Sequence, residues 1–412
     1  MIKTPRNYIT ILLLLCAFKS TAQPIHVTIP KYDFIHEDQA QLIVPASDTL
    51  LNNFFQKLSK LMLFGEGQIN VLHMGGSHIQ ADVYSNRLRQ LLGSYYPEQQ
   101  GARGLIFPYR IAKTNGPPDF RADYTGDWTS NKNVSRELST KLGLMGMSVS
   151  TSDTTASFQI TFDRIKNLPQ HFTRIKLFNE IDSSSFQPYW IGNDSVKFTS
   201  FPEKGYTLIE LPRFYDTISI GFKKEDSLQH HYILYGMYLE SDEPGITYNS
   251  VGVNGASTTS YLKCELFEQQ VKEVHPDLVF FGIGINDAHN NTFTQKRYED
   301  YYRQIIKMIQ ASNPNVMLVF ITNNDSYSYS RINNKNAEAV EKAMYNLAKE
   351  YNGAVWNMFR VMGGYRSATI WRANNLMKHD RIHFNREGYN LMGDLIFNAL
   401  MEKYGNYLMR NH

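Results

Sequence analysis

Two kinds of apolar pattern divide this chain. Near-continuous apolar runs at residues 279–283 and 316–321, a weaker one at 354–358, and Val71, Leu72 and Met74 within 69–75 read as strands buried on both faces of a parallel sheet. Between them, apolar positions at helical spacing predict helices over about 50–63, 298–310, 336–351 and 386–404. Ile79, Val83, Leu88 and Leu91 predict one amphipathic helix starting near His78. From about 119 to 243 the texture changes. Short alternating or β-branched and aromatic runs at 147–150, 157–162, 174–178, 195–200, 207–211, 217–222 and 232–240, punctuated by Asp, Asn, Ser and Gly, predict a β-sandwich. Gly101, Gly104, Pro108, Gly116, Pro117 and Pro118 make 101–118 an expected loop. The expected architecture is an α/β fold with a parallel sheet, formed by residues 23–118 and 245–412 and interrupted by a β-sandwich at 119–244.

The first 22 residues carry Lys3 and Arg6, an apolar run at 11–18, and Ser20, Thr21 and Ala22 before Gln23. That order predicts a secretory signal peptide and an exported protein, periplasmic or extracellular; the run is too short to span a membrane. Cleavage removes Lys3, Arg6 and Lys19 and leaves 39 basic side chains against 39 acidic ones. A balanced charge gives no electrostatic footprint for nucleic acid or an anionic membrane. Cys264 is then the single cysteine, so neither an internal disulfide nor a cysteine-based zinc site is available.

Candidate chemistry gathers where strands are expected to end. The strand through Val71 runs into Gly75 and Gly76 and then Ser77, at a corner where the first helical N–H groups are unpaired. Ser77 reads there either as a nucleophile or as a helix N-cap. Three more clusters follow strands or precede the last helix: residues 252–257 with Gly255, 282–287 with Asn286, and 379–385 with Asp380 and His383. Acyl transfer needs a histidine to take the serine proton, a carboxylate to hold the other ring nitrogen, and N–H donors for the oxyanion. His383 and Asp380 supply base and orienter; the Ser77 N–H, the Gly255 N–H and the Asn286 amide supply donors. The plainer readings are a cap for Asp380 and a turn for Asn286.

In these four blocks the chain resembles the SGNH or GDSL-type esterases: Gly75-Gly76-Ser77, Gly255, Gly284-Ile285-Asn286-Asp287 and Asp380-Arg381-Ile382-His383, in that order. The resemblance covers residues 65–110 and 245–405. It implies a flavodoxin-like three-layer α/β/α fold and Ser-His-Asp catalysis without a cofactor. Gly76 departs from the family, which has aspartate there. Ser77-His78, with a β-sandwich inserted after the first block, looks more narrowly like the bacterial peptidoglycan O-acetylesterases, whose insertion resembles a carbohydrate-binding module. An O-acetylated glycan is the expected partner of a monomeric esterase, with Tyr189 and Trp190 of the insertion as expected sugar contacts. Three other readings stay open. His379 and His383, with His73, His78, Asp82 or His289, could bind a metal. Gly76, with Trp128, Phe186, Tyr189 and Trp190, could mark a catalytically silent glycan-binding protein. An O-acetyltransferase would use the same acyl-serine.

Overall fold

The central sheet runs in the order Leu42–Ile43, Ala354–Trp356, Met317–Ile321, Leu278–Gly282, Gln68–Gly75 and Gly245–Gly252 in a computed structural model that describes residues 26–94, 101–163 and 172–411. The expected signal peptide lies outside the described residues. All neighbours pair in parallel except the antiparallel edge at Leu42–Ile43. Numbered by sequence, the five parallel strands stand in the order 2-1-3-4-5. That is the flavodoxin-like order, whose switch point lies between Gln68–Gly75 and Leu278–Gly282.

Successive side chains of a strand point to opposite faces, and here both faces are covered. Leu278, Phe280, Met317, Val319 and Ile321 join a core with helices Thr49–Phe64, Tyr84–Ser94 and Arg386–Asn411. Val279, Phe281, Leu318 and Phe320 join another with Phe267–Val274, Gln295–Gln310 and Ala337–Glu350. This double burial is why those strands read as unbroken apolar runs. The second core continues into the insertion, taking in Met147, Phe158, Leu177 and Ile220.

Among the described residues the insertion supplies six strands of a seven-stranded antiparallel sheet and all of a four-stranded one. Besides the expected strands it contains Phe120–Thr125, in which apolar and polar residues alternate, and the shorter Thr129–Lys132 and Gln187–Trp190, the one wholly polar and the other containing Pro188. Within the expected loop 101–118, Gly104–Ile106 pairs antiparallel with Tyr232–Glu240, Leu105 facing Tyr238. The single helix expected from His78 is two, Ser77–Gln80 and Tyr84–Ser94. Between them Asp82 takes a left-handed φ of 46°. Its carboxylate is fully buried, accepting from Arg89 at 3.0 Å, Arg103 at 2.9 Å, and the hydroxyls of Ser85 and Ser250. A tertiary charge network therefore overrides a helical pattern. Arg103 also donates to Asp119 at 2.5 Å, tying the corner after Ser77 to the first strand of the four-stranded sheet.

Candidate active site

Three glycines stand level across the sheet at the carboxyl ends of their strands, Gly252 beside Gly75 and Gly75 beside Gly282. Just beyond them come Gly255, Ser77 and Asn286, so one sheet edge receives all three blocks. At position 75 a side chain is excluded: a Cβ would lie 2.2 Å from Ile79 Cγ1, which packs the short helix against the strand end. Gly255 sits at φ 82°, a conformation that favours glycine.

Ser77 Oγ lies 2.7 Å from His383 Nε2, and His383 Nδ1 lies 2.8 Å from Asp380 Oδ2. The second Asp380 oxygen accepts the backbone N–H groups of Ile382 and His383, each at 2.9 Å. This turn is local in origin, an aspartate folding the next two residues back on itself. It is held further by Lys378 N–H to the His383 carbonyl and by Asn324 Nδ2 to the Ile382 carbonyl. Burial would raise the Asp380 pKa, but the hydrogen bonds from His383 and Ile382 prevail and hold it well below the usual carboxylate range. Ionised Asp380 accepts a hydrogen bond from Nδ1–H, which fixes the tautomer and leaves Nε2 to accept from the Ser77 hydroxyl. The arrangement can remove the serine proton as the oxygen attacks a carbonyl and return it to a leaving alcohol.

The Asn286 amide donates one proton to the Ala256 carbonyl at 2.8 Å and keeps a second. A Cβ at Gly76 would stand 3.3 Å from this amide nitrogen and 3.4 Å from the Ala256 carbonyl oxygen. A side chain at position 76 would thus meet the Asn286 amide in a tight contact. Asp287 turns the other way, accepting the Thr258 hydroxyl at 2.5 Å and the Thr258 N–H. Burial pushes its pKa up to about 6. It joins the block carrying Gly255 to the block carrying Asn286.

Sequence reasoning named His78 only as the neighbour of Ser77 and as a candidate metal ligand, and gave Gln80 no role. His78 is partly buried against His383, ring centroids 5.2 Å apart, and its Nδ1 meets the Tyr389 hydroxyl at 2.7 Å. Burial, aided by the His383 charge, lowers its pKa to about 3, so a neutral ring supports the base. Gln80 accepts from the Asn254 N–H and donates to Thr114 and Asn115, fixing one wall. These roles had no sequence signal beyond position beside Ser77, because their partners are remote in the chain.

Ser77, Gly255, Asn286 and His383 open into a cleft of about 1130 Å³, with Asn115, Asn254, Asn290 and Asn291 along it. Tyr189 and Trp190 are not among its lining residues. Tyr189 is exposed with its ring lying across Gly221, and Trp190 packs edge-on to Tyr215 at 5.0 Å. The histidines considered as metal ligands are engaged separately: His73 with Tyr248 and Tyr84, His289 with Ser326 and Ser328, and Asp82 with arginines. A different trio, Glu180, Asp182 and His231 in the insertion, lies close enough to share an ion.

The model of the GDSL-like lipase/acylhydrolase family matches residues 220–391, which contain Gly255, Asn286, Asp380 and His383 but not Ser77. No curated protein gives a significant match. Among solved structures, a peptidoglycan O-acetylesterase is similar over 88% of this chain and 99% of its own, with a TM-score of 0.73 at 19% identity. An acetyl xylan esterase is similar over 37% of this chain and 81% of its own, with a TM-score of 0.30 at 19% identity. A GDSL-like lipase from Bacteroides thetaiotaomicron covers 38% of this chain and 76% of its own, with a TM-score of 0.29 at 18% identity. The chain resembles the GDSL-like acylhydrolases in its motifs and carries the SGNH hydrolase fold with a β-rich insertion.

Proposed function

We infer that this chain is an exported serine esterase that removes O-acetyl groups from a polysaccharide, peptidoglycan foremost. The observation that carries the reading is the unbroken relay from Ser77 through His383 to Asp380, opening into a broad cleft along which Asn115, Asn254, Asn290 and Asn291 place uncharged amides beside Lys378 and apolar side chains. Side-chain amides both donate and accept, which suits a ligand dense in hydroxyl and acetamido groups. Ser77 Oγ attacks the acetyl carbonyl while His383 takes its proton. The oxyanion meets the N–H groups of Ser77 and Gly255 and the free Asn286 amide proton. Collapse releases the sugar hydroxyl, which receives the proton from His383, and water then hydrolyses the acetyl-serine by the same route. Peptidoglycan is favoured by the likeness, over nearly the whole of both chains, to a protein named as a peptidoglycan O-acetylesterase. Export rests on the pattern of residues 1–22.

The insertion is proposed to hold the polymer across the cleft, which adds binding energy remote from the ester. Support comes from residues 133–146. A Cβ on Gly255 would meet Val134, while Ser139, Thr140 and Lys141 border a second cleft with Trp128 and His231. The test is acetate release from O-acetylated peptidoglycan, acetylated xylan and an aryl acetate, with phosphonate labelling of Ser77. Labelling and aryl turnover without acetate from either polymer would reject the glycan substrate. Acetate moved to an added sugar in place of water would identify a transferase, and no labelling or turnover would leave a glycan binder.

A further inference from the structure

We propose that the hairpin Tyr327–Ser328/Ile332–Asn333 is a substrate-reading arm whose tip residue, Tyr329, stacks on a sugar ring neighbouring the one whose acetyl ester meets Ser77. Tyr329 then determines which glycans are accepted.

The arm is rigid at its base. Tyr327 donates its N–H to the Arg381 carbonyl at 3.2 Å, and the Arg381 guanidinium lies 4.9 Å over the Tyr327 ring, next to Asp380. On its other side His289, three residues after Asn286, bonds the hydroxyls of Ser328 at 2.5 Å and Ser326 at 3.0 Å. The arm is therefore fastened both to the loop carrying the acid and to the segment carrying the oxyanion amide. A group so held keeps its distance to the ester constant, which is what positioning a neighbouring sugar requires.

Its tip is the opposite. Tyr329 is 90% exposed and Ile332 61% exposed, and both border the cleft that contains Ser77 and His383. Tyr329 and Ser330 have φ of 50° and 56°, and the Arg331 N–H bonds the Ser328 carbonyl, so the three-residue hairpin loop begins with a β-turn whose two central residues are both left-handed, positions that favour Asn and Gly. A tyrosine is costly in that conformation and here gains no burial in return. Folding does not explain it; a contact made from outside does. A sugar suits this cleft better than a long acyl chain, because Asn290 and Asn291, which follow the arm's anchor His289, line it together with Tyr329. A pyranose has an apolar face for the ring and hydroxyls at its edge for those amides.

This rests on the glycan-esterase reading, and the experiment separates the two. Tyr329→Asn suits the turn better than tyrosine, so its melting temperature should hold or rise. Its KM for an O-acetylated oligosaccharide should increase about five- to tenfold, the scale of one lost aromatic contact, with kcat nearly unchanged. Aryl acetate turnover should stay within about twofold by the same argument, since that ester lacks the neighbouring ring. Tyr329→Phe and Tyr329→Trp should restore the oligosaccharide KM. An unchanged oligosaccharide KM, equal losses on both substrates, or a loss confined to long-chain aryl esters would overturn the arm while leaving the esterase intact. A wild-type enzyme that cleaves aryl acetate but no acetylated glycan would overturn the glycan reading and the arm with it.

Discussion

The parallel sheet and the inserted sandwich bury apolar layers of comparable kind, yet they distribute polar chemistry differently. In the sheet, Gln68–Gly75, Gly245–Gly252 and Leu278–Gly282 run the same way, so the residues after each emerge at one edge: Ser77, Gly255 and Asn286. Antiparallel strands end alternately at opposite edges, so the sandwich scatters its turn residues and gathers a cleft from strand flanks, including Trp128, Thr129 and Ser150. The charges differ as well. Asp82, Arg89, Arg103 and Asp119 are fully buried beside the Ser77 corner, whereas the Lys197–Glu210 pair of the sandwich lies open to solvent. Direction of chain, more than strand composition, decides where reactive groups can meet.

The sharpest way to break this comparison is at Ser77. Ser77→Ala should leave the melting temperature unchanged and lower kcat on an aryl acetate by roughly 10⁴–10⁶. A rate within tenfold of wild type would show that the convergence at the sheet edge is not catalytic.

Arg103→Met tests whether the buried charges hold the corner and the insertion together. It leaves Asp82 and Asp119 facing one another with one cation fewer, and should cost about 3–5 kcal/mol in denaturant unfolding. The equivalent loss of an exposed partner, Lys197→Met, should cost under about 1 kcal/mol. Similar values for both would erase the contrast between the regions.

Asn286→Ala should reduce kcat about 10²–10³ with little change in KM, as an oxyanion donor acts where charge develops. A change confined to KM would make Asn286 a ground-state contact.

Acidity separates two aspartates of the same edge. Burial raises the Asp287 pKa from 3.8 to about 6, so its ionisation opposes folding; this contribution to stability is full below about pH 4 and lost as pH rises through 6. The difference is on the order of 3 kcal/mol at neutral pH. Asp380 is shifted the other way, so its contribution is present above the ordinary carboxylate range and fades as pH falls below it. Melting temperatures of wild type and Asp287→Asn from pH 4 to 7 should show an extra fall with rising pH in the wild type alone. Parallel curves would mean that Asp287 is better solvated than its burial implies.

The smallest effect belongs to the sandwich surface. Tyr189→Ala should raise KM for polymer a fewfold, on the order of 1 kcal/mol, and spare aryl acetate. Trp190→Ala should lower the melting temperature too, because Trp190 packs on Tyr215. A polymer KM untouched by Tyr189→Ala would remove that face from substrate binding.

Much of the architecture was legible because it is local. The doubly covered strands announce themselves as apolar runs, and Asp380 and His383 are close enough in sequence to form their turn unaided. The split at Asp82 and the strand Gly104–Ile106 were not legible. One depends on Asp82 drawing in Arg103 and the hydroxyl of Ser250, 168 residues away, besides nearby Arg89, and the other on a partner strand more than a hundred residues away.

The sequence by itself determined the residue types and the order of the four blocks, since periodicity and motif spacing are properties of neighbours along the chain. Only the tertiary structure decided that Ser77 and His383, 306 residues apart, lie 2.7 Å from each other. It also decided that Asn286 occupies the space beside Gly76, and that Tyr329 stands bare over the same cleft. These are outcomes of sheet order and chain direction, and distance through space is fixed by packing between elements, which pattern along the chain does not encode.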